Sequence, residues 1–432
     1  MKNVFIELKK ETINGLLVKE DEKHIVLKLS SGYNIGISKN KIQNVEYKEM
    51  EENKIDNKNN KSQATNVIQN TNLPKVLIIH TGGTIASKVD YRTGGAIAAF
   101  SPEEIVSMFP ELKELAHIES HLFRNMWSED LRFVHYNLIA EKIAEEIRKD
   151  PQLKGIIITH GTDTIHYTTA ALSFMFEHLS IPVVIVGSQR SSDRGSSDAA
   201  INLVSAVAFI ANTTLSGIFI CMHENMNDNT CSILNGINAK KLHSSRRDAF
   251  KQINGKPVAR VNYFTKEIEY IAEYPNSTLN SPGKLKIHPY DEKLKIGVLY
   301  SHINMFADEI QFYSNNKFDG LILAGTGLTN FPINEIDEYT KEHSKIRAAL
   351  ADLASKIPVV MSLQTVYGRV NMNVYTTGRD IAEMGIIGNF NSLCTETSFI
   401  KLAWLLSQKL DPKEWFMKDV RGEFSVKEME SD

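Results

Sequence analysis

With 432 residues, 42% of them hydrophobic and 23% charged, and a formal net charge of −3, the chain is too long for one core, since cores usually stop growing at roughly 250–300 residues; its balance is that of a soluble globular enzyme. The small net charge excludes a protein organised around a basic, phosphate-binding face, and no aliphatic run comes near the roughly 20 residues needed to cross a bilayer. Residues 1–10 mix charged with apolar side chains and lack the apolar core and cleavage site of a secretory signal, so a cytoplasmic location is expected.

Residues 4–47 alternate apolar and polar positions: Val4, Ile6, Leu8; Leu16, Val18; Ile25, Leu27, Leu29; Tyr33, Ile35, Ile37. A period of two is the strand signal, and Asn14-Gly15 and Ser31-Gly32 are pairs that accept the positive φ of a hairpin turn. Four or five antiparallel strands closing into a small β-barrel over residues 1–47 are therefore predicted. Over residues 48–73 the pattern gives way to Glu, Lys and Asn, which cannot bury enough apolar surface to order themselves, so this stretch reads as a linker.

From Pro74 the texture changes to compact aliphatic runs at 75–79, 155–159, 182–187 and 217–221, typical of parallel strands covered on both faces. Helical patterns at 137–147, 164–176 and 198–210 alternate with them, the order expected of a doubly wound parallel sheet. After a stretch around 275–289 a second set of strands is predicted at 296–300, 320–323 and 358–362. The domains are accordingly placed at 74–276 and 277–432. Cys221, Cys231 and Cys394 include no CxxC pair and read as buried thiols, with neither a disulfide framework nor a zinc site suggested.

In an open parallel sheet, ligands sit beyond the carboxyl ends of the strands. There the first strand runs into His80-Thr81-Gly82-Gly83-Thr84-Ile85-Ala86, the second into Thr159-His160-Gly161-Thr162-Asp163-Thr164, and the third into Gly187-Ser188-Gln189-Arg190. Glycines allow close backbone approach, and hydroxyls with amide N–H groups at helix starts suit a carboxylate or a developing oxyanion. Singly, each loop also reads as a tight turn or a helix cap. Neither TGGTIA nor Ala324-Gly325-Thr326-Gly327-Leu328 supplies the GxGxxG of a dinucleotide-binding oxidoreductase.

Together, TGGTIAS, THGTDTIHYTT and VGSQRSSDRGSSDAAINL closely resemble the bacterial-type asparaginase and glutaminase family, over about 350 residues from Pro74 onward. The resemblance implies an asparaginase-like α/β core of two domains and a set of site residues. Thr84 would be the nucleophile that attacks an amide carbon, with Thr162 and Asp163 as a second functional pair, completed by Lys241 at the head of Lys241-Leu242-His243-Ser244-Ser245. A threonine hydroxyl is too weakly acidic to attack unaided, and an amine beside Asp163 can take its proton through Thr162. Lys240 is the adjacent, structural candidate. Within Met126-Trp127-Ser128-Glu129-Asp130, Ser128 and Glu129 would hold the substrate's α-carboxylate and α-ammonium groups. A lid over residues 88–95 carries Tyr91, which lies in the loop corresponding to that of the family's catalytic tyrosine, though its spacing leaves that correspondence open.

A barrel joined by a linker ahead of the first strand is similar to the family members that act as the D subunit of archaeal Glu-tRNA(Gln) amidotransferases. That resemblance implies glutamine, or asparagine, as the small-molecule substrate, the E subunit of the amidotransferase as partner, and a homodimer of this chain at the centre of a heterotetramer. It also implies that tRNA(Gln) is contacted mainly through the partner, with no membrane involved. No cofactor is expected on this chain: ATP and Mg²⁺ are expected on the partner, and the sequence contains no GxxxxGK[ST] loop. A free-standing L-asparaginase is the alternative reading.

Overall fold

The computed structural model describes residues 2–8, 12–28, 34–49, 70–83, 85, 87–89, 96–98, 105–106, 108–191, 196–274 and 283–424. Its first unit is a five-stranded antiparallel sheet in the order Asn34–Ser38, His24–Lys28, Thr12–Glu20, Lys2–Leu8, Ile42–Glu49. Alternation puts Val4, Ile6, Ile25, Leu27 and Ile37 on one buried face. Ile13, Leu17, Ile42 and Val45 pack against them, so side chains of all five strands share one small core and the sheet curls about it.

Two details depart from the sequence reading. Asn14-Gly15 is not a turn: the strand Thr12–Glu20 runs through it, with Phe5 opposite Asn14 and Val4 opposite Gly15. Continuous ladder bonds to the neighbouring strand outweigh the local turn preference of the pair. Ser31-Gly32 lies outside the described residues. The last strand also continues to Glu49, two residues into the stretch read as linker.

The main sheet has eight strands. Five are parallel, in the order Gly217–His223, Pro182–Val186, Leu153–Thr159, Lys75–His80, His117–Leu122; three more, Thr230–Asn235, Ala259–Asn262 and Ile268–Tyr270, extend it antiparallel beyond Gly217–His223. The sheet is therefore mixed, where the aliphatic runs alone predicted parallel strands. Alternate residues of the parallel strands feed two cores. Leu77, Ile79, Ile156, Ile158, Val183 and Ile185 face the helices Phe133–Lys149 and Ile165–Met175, and Val76, Ile78, Ile157, Val184 and Val186 face the helix Ala199–Asn212. Burial on both faces is what makes these strands uniformly aliphatic, each such side chain contributing on the order of 2 kcal/mol.

The second unit is a three-stranded parallel sheet, Ile296–Tyr300, Gly320–Gly325 and Val359–Leu363. Its helix Thr395–Ser407 packs on Ile165–Met175 and contributes Ile400, Trp404 and Leu405 to the core of the first α/β unit, so the two units share apolar interior. Cys221, Cys231 and Cys394 are buried, free thiols.

Candidate active site

Three loops leave the carboxyl ends of adjacent parallel strands and are tied to one another by their backbones. Thr81 N–H and its hydroxyl both donate to Thr159 O (3.2 and 2.8 Å), His160 N–H donates to Val186 O (3.0 Å), and Met126 N–H donates to Thr81 O (3.0 Å). Glycines permit this closeness. A Cβ on Gly83, whose φ is +83°, would lie 2.7 Å from the backbone of His160; one on Gly187 would lie 2.7 Å from Thr162 Cγ2; one on Gly161 would lie 3.0 Å from Ser128 Cβ.

Between the loops is a cleft of about 250 Å³ lined by Gly83, Trp127, Ser128, Glu129, Thr162, Asp163 and Lys241 among others. Thr162 and Asp163 occupy a short 3₁₀ turn that leads into the helix Ile165–Met175. Lys241 ends the strand Ala239–Lys241, which pairs with Phe250–Gln252. Its Nζ donates to Thr162 Oγ1 at 2.8 Å and meets Asp163 Oδ1 at 2.7 Å. The Lys241 side chain is 9% exposed and that of Asp163 68% exposed, so the amine is sheltered while its counter-charge faces solvent.

Lys240 points the other way, as neighbours in a strand must. Its Nζ lies 2.8 Å from Glu396 of the second unit. Burial drives the Glu396 carboxyl up and the Lys240 charge pulls it back below the ordinary carboxylate value; Lys240, which burial lowers, is in turn raised by Glu396. This is a tie between the two α/β units.

The sequence-predicted residues Thr162, Asp163, Lys241, Ser128 and Glu129 thus share one cleft. Ser128 is buried, and its hydroxyl donates weakly to Glu129 Oε2 at 3.3 Å. Thr84 and Tyr91 lie outside the described residues; Gly83, immediately before Thr84, is part of the cleft wall.

Other groups were missed as site residues although their loop was singled out. Ser188 and Gln189 line the cleft, held by the fully buried carboxylate of Asp198. Asp198 accepts from Ser188 Oγ, Gln189 N–H and Arg190 N–H, each at 3.0 Å, and from Asn202 Nδ2 at 3.1 Å. A buried carboxyl group is tolerated only when its oxygens are hydrogen-bonded in this way. The signal was the Asp eleven residues after Gly187 at a helix start, which reads from sequence as an ordinary cap.

The histidines of the motifs are scaffold. His160 Nδ1–H donates to Gly161 O (2.7 Å) and Nε2 accepts from Thr168 Oγ1 (2.9 Å), which fixes one neutral tautomer. Burial holds His160 and His80 down at about 4. Among the described residues no group of three His, Cys, Asp or Glu side chains is arranged to hold a metal ion.

Residues 75–275 match the family described as Asparaginase, N-terminal, residues 295–415 the Glutaminase/Asparaginase C-terminal domain, and residues 2–47 the GatD N-terminal domain. The chain is similar to the D subunit of the glutamyl-tRNA(Gln) amidotransferase of Methanococcus maripaludis, at 38% identity over 98% of this chain and 97% of that one. It is also similar to the protein of that name from Sulfolobus acidocaldarius, at 36% identity over 97% and 91%. Among solved structures it resembles the thermostable L-asparaginase of Thermococcus kodakarensis (TM-score 0.71, 27% identity) and L-asparaginase I of Vibrio cholerae (TM-score 0.68, 28% identity). Each of these covers 82% of this chain and is itself covered completely.

Proposed function

This chain belongs to the glutaminase/asparaginase family, and from that premise we propose that it is the amide-hydrolysing D subunit of a Glu-tRNA(Gln) amidotransferase, releasing ammonia from glutamine, with asparagine as a second amide substrate. The observation that carries the chemistry is the Lys241 amine bonded to both Thr162 Oγ1 and Asp163 Oδ1 in a cleft whose wall ends at Gly83, next to Thr84. What favours the amidotransferase over a free-standing L-asparaginase is the small N-terminal domain, which the D-subunit relatives cover and the solved asparaginases do not extend far enough to share in full.

In the reaction we assign, the Thr84 hydroxyl gives its proton through Thr162 to a neutral Lys241 amine as its oxygen adds to the carboxamide carbon. Asp163 stabilises the resulting ammonium. The C=O electron pair moves onto oxygen and returns as the C–N bond breaks, the proton passing from Lys241 to the departing nitrogen to give ammonia and a glutamyl ester of Thr84. Water, deprotonated by the same relay, attacks the ester and releases glutamate and the free hydroxyl. Ser128 and Glu129 hold the α-carboxylate and α-ammonium groups.

Ammonia then passes to the partner, the E subunit, where ATP and Mg²⁺ activate the glutamate on tRNA(Gln) in a cytoplasmic heterotetramer built on a homodimer of this chain. The nucleophile is tested by incubating the protein with an electrophilic glutamine analogue such as the diazoketone and mapping the adduct by mass spectrometry. The label should fall on the peptide containing Thr84 and vanish in Thr84→Ala; label on another residue refutes the assignment.

A further inference from the structure

One polar group in the cleft wall has no task in that reaction. Gln189 is anchored through its backbone N–H to Asp198 Oδ2 (3.0 Å), and its Oε1 lies 3.5 Å from the Thr162 hydroxyl. In the resting site Thr162 Oγ1 accepts from Lys241 Nζ, so its own proton points outward, and Oε1 is the acceptor that meets it. That orientation turns the amide NH₂ away from Thr162. Nε2 is buried, yet no hydrogen-bond partner meets it among the described residues. A buried donor left unpaired is costly and is seldom retained without a use. The residue also lines the cleft, and Gly187 brings its loop into contact with Thr162 Cγ2.

We propose that Gln189 contacts the substrate: Nε2–H donates to the oxygen of the carboxamide being hydrolysed, while Oε1 orients the Thr162 hydroxyl in the resting site, before the relay to Lys241 begins. The inference rests on the amide hydrolysis assigned above and adds a donor to it. Because the two ends of the Gln189 carboxamide belong to one planar group, a donor joined to the Thr162 acceptor lies at the reacting end of the cleft. There the oxygen gains charge as the threonine oxygen adds, and a donor fixed beforehand gains strength in step with it.

The test uses the full-length protein with its co-purified partner and compares wild type, Gln189→Met and Gln189→Glu. Met removes both contacts; Glu keeps the acceptor for Thr162 and removes the donor. Both variants should lose about 10²–10³-fold in kcat on glutamine with KM changed by less than about threefold. On the δ-thioamide of glutamine, whose sulfur accepts hydrogen bonds weakly, the loss should be smaller by about tenfold. A kcat near wild type in Gln189→Glu, or equal losses on amide and thioamide, overturns the contact. Should Gln189→Met fail to fold, Gln189→Glu decides alone. Absence of ammonia release by the wild-type complex would refute the amide hydrolysis itself, a separate outcome.

Discussion

Two adjacent lysines separate chemistry from architecture at the scale of single residues. Lys241→Ala removes the only amine bonded to Thr162 among the described residues, and in the proposed relay loss of that proton acceptor is worth about 10²–10⁴-fold in rate. Ammonia release should fall by that amount while the melting temperature holds. Lys240→Ala leaves the Glu396 carboxylate without its cation. Both side chains keep some exposure, so the expected cost is on the order of 2 kcal/mol of stability, below the roughly 3–5 kcal/mol of a fully buried pair, with turnover per folded molecule little changed. Denaturant midpoints and initial rates on the two variants check this, and a reversed pattern would exchange the two roles.

The histidines give a pH prediction. His80, His160 and His166 are held at about 4 by burial, below the ordinary imidazole value of 6.5. The unfolded chain therefore binds more protons than the folded one between those values, so stability falls as pH drops from 6.5 toward 4 and is complete above 6.5. Each imidazole contributes on the order of 3 kcal/mol across that window. The melting temperature should decline from pH 7 to pH 5; an unchanged value would show that these rings are not kept neutral by the fold.

At the scale of elements, the cleft depends on loops brought closer than any side chain allows. Gly187→Ala puts a methyl 2.7 Å from Thr162 Cγ2 and 2.9 Å from Ile165 Cδ1, so Thr162 must shift from its place beside Lys241. A displacement of about 1 Å in a proton relay costs on the order of 10²-fold. Assays of Gly187→Ala should show that fall in kcat in a folded protein, and full activity would mean the loops are slack.

The same scale shows why parts of the fold were legible. The four parallel strands after Pro74 announce themselves because both faces are buried, whereas His117–Leu122 sits at the sheet edge and reads HIESHL, a mixed pattern. Short antiparallel additions such as Ala259–Asn262 carry no run long enough to register. Asn14-Gly15 misled because a turn-prone pair says nothing about the partner strand that straightens it. The register of Lys241 was legible only through its motif, since two adjacent lysines are equivalent until a strand assigns them opposite sides. The use of Asp198 to hold Ser188 and Gln189 was hidden because the contact depends on the loop's folded path.

The whole molecule joins a small curled sheet with its own core to a two-unit amide hydrolase whose halves share apolar interior and the Lys240–Glu396 tie. A hydrolase that feeds ammonia to another site should turn over slowly until that site is loaded, because free turnover wastes glutamine, and partner or tRNA binding must then favour the competent state. The residues 88–95 read as a lid lie mostly outside the described set. Coupling can nevertheless be measured directly, as the initial rate of ammonia release from glutamine by this chain alone, with its co-purified partner, and with partner, ATP and Glu-tRNA(Gln) together. A rate that is low for the chain alone and rises when aminoacylated tRNA joins the complex is the predicted result; a full rate on asparagine or glutamine by the isolated chain, unchanged by partner or tRNA, would contradict the amidotransferase assignment and identify a free-standing L-asparaginase.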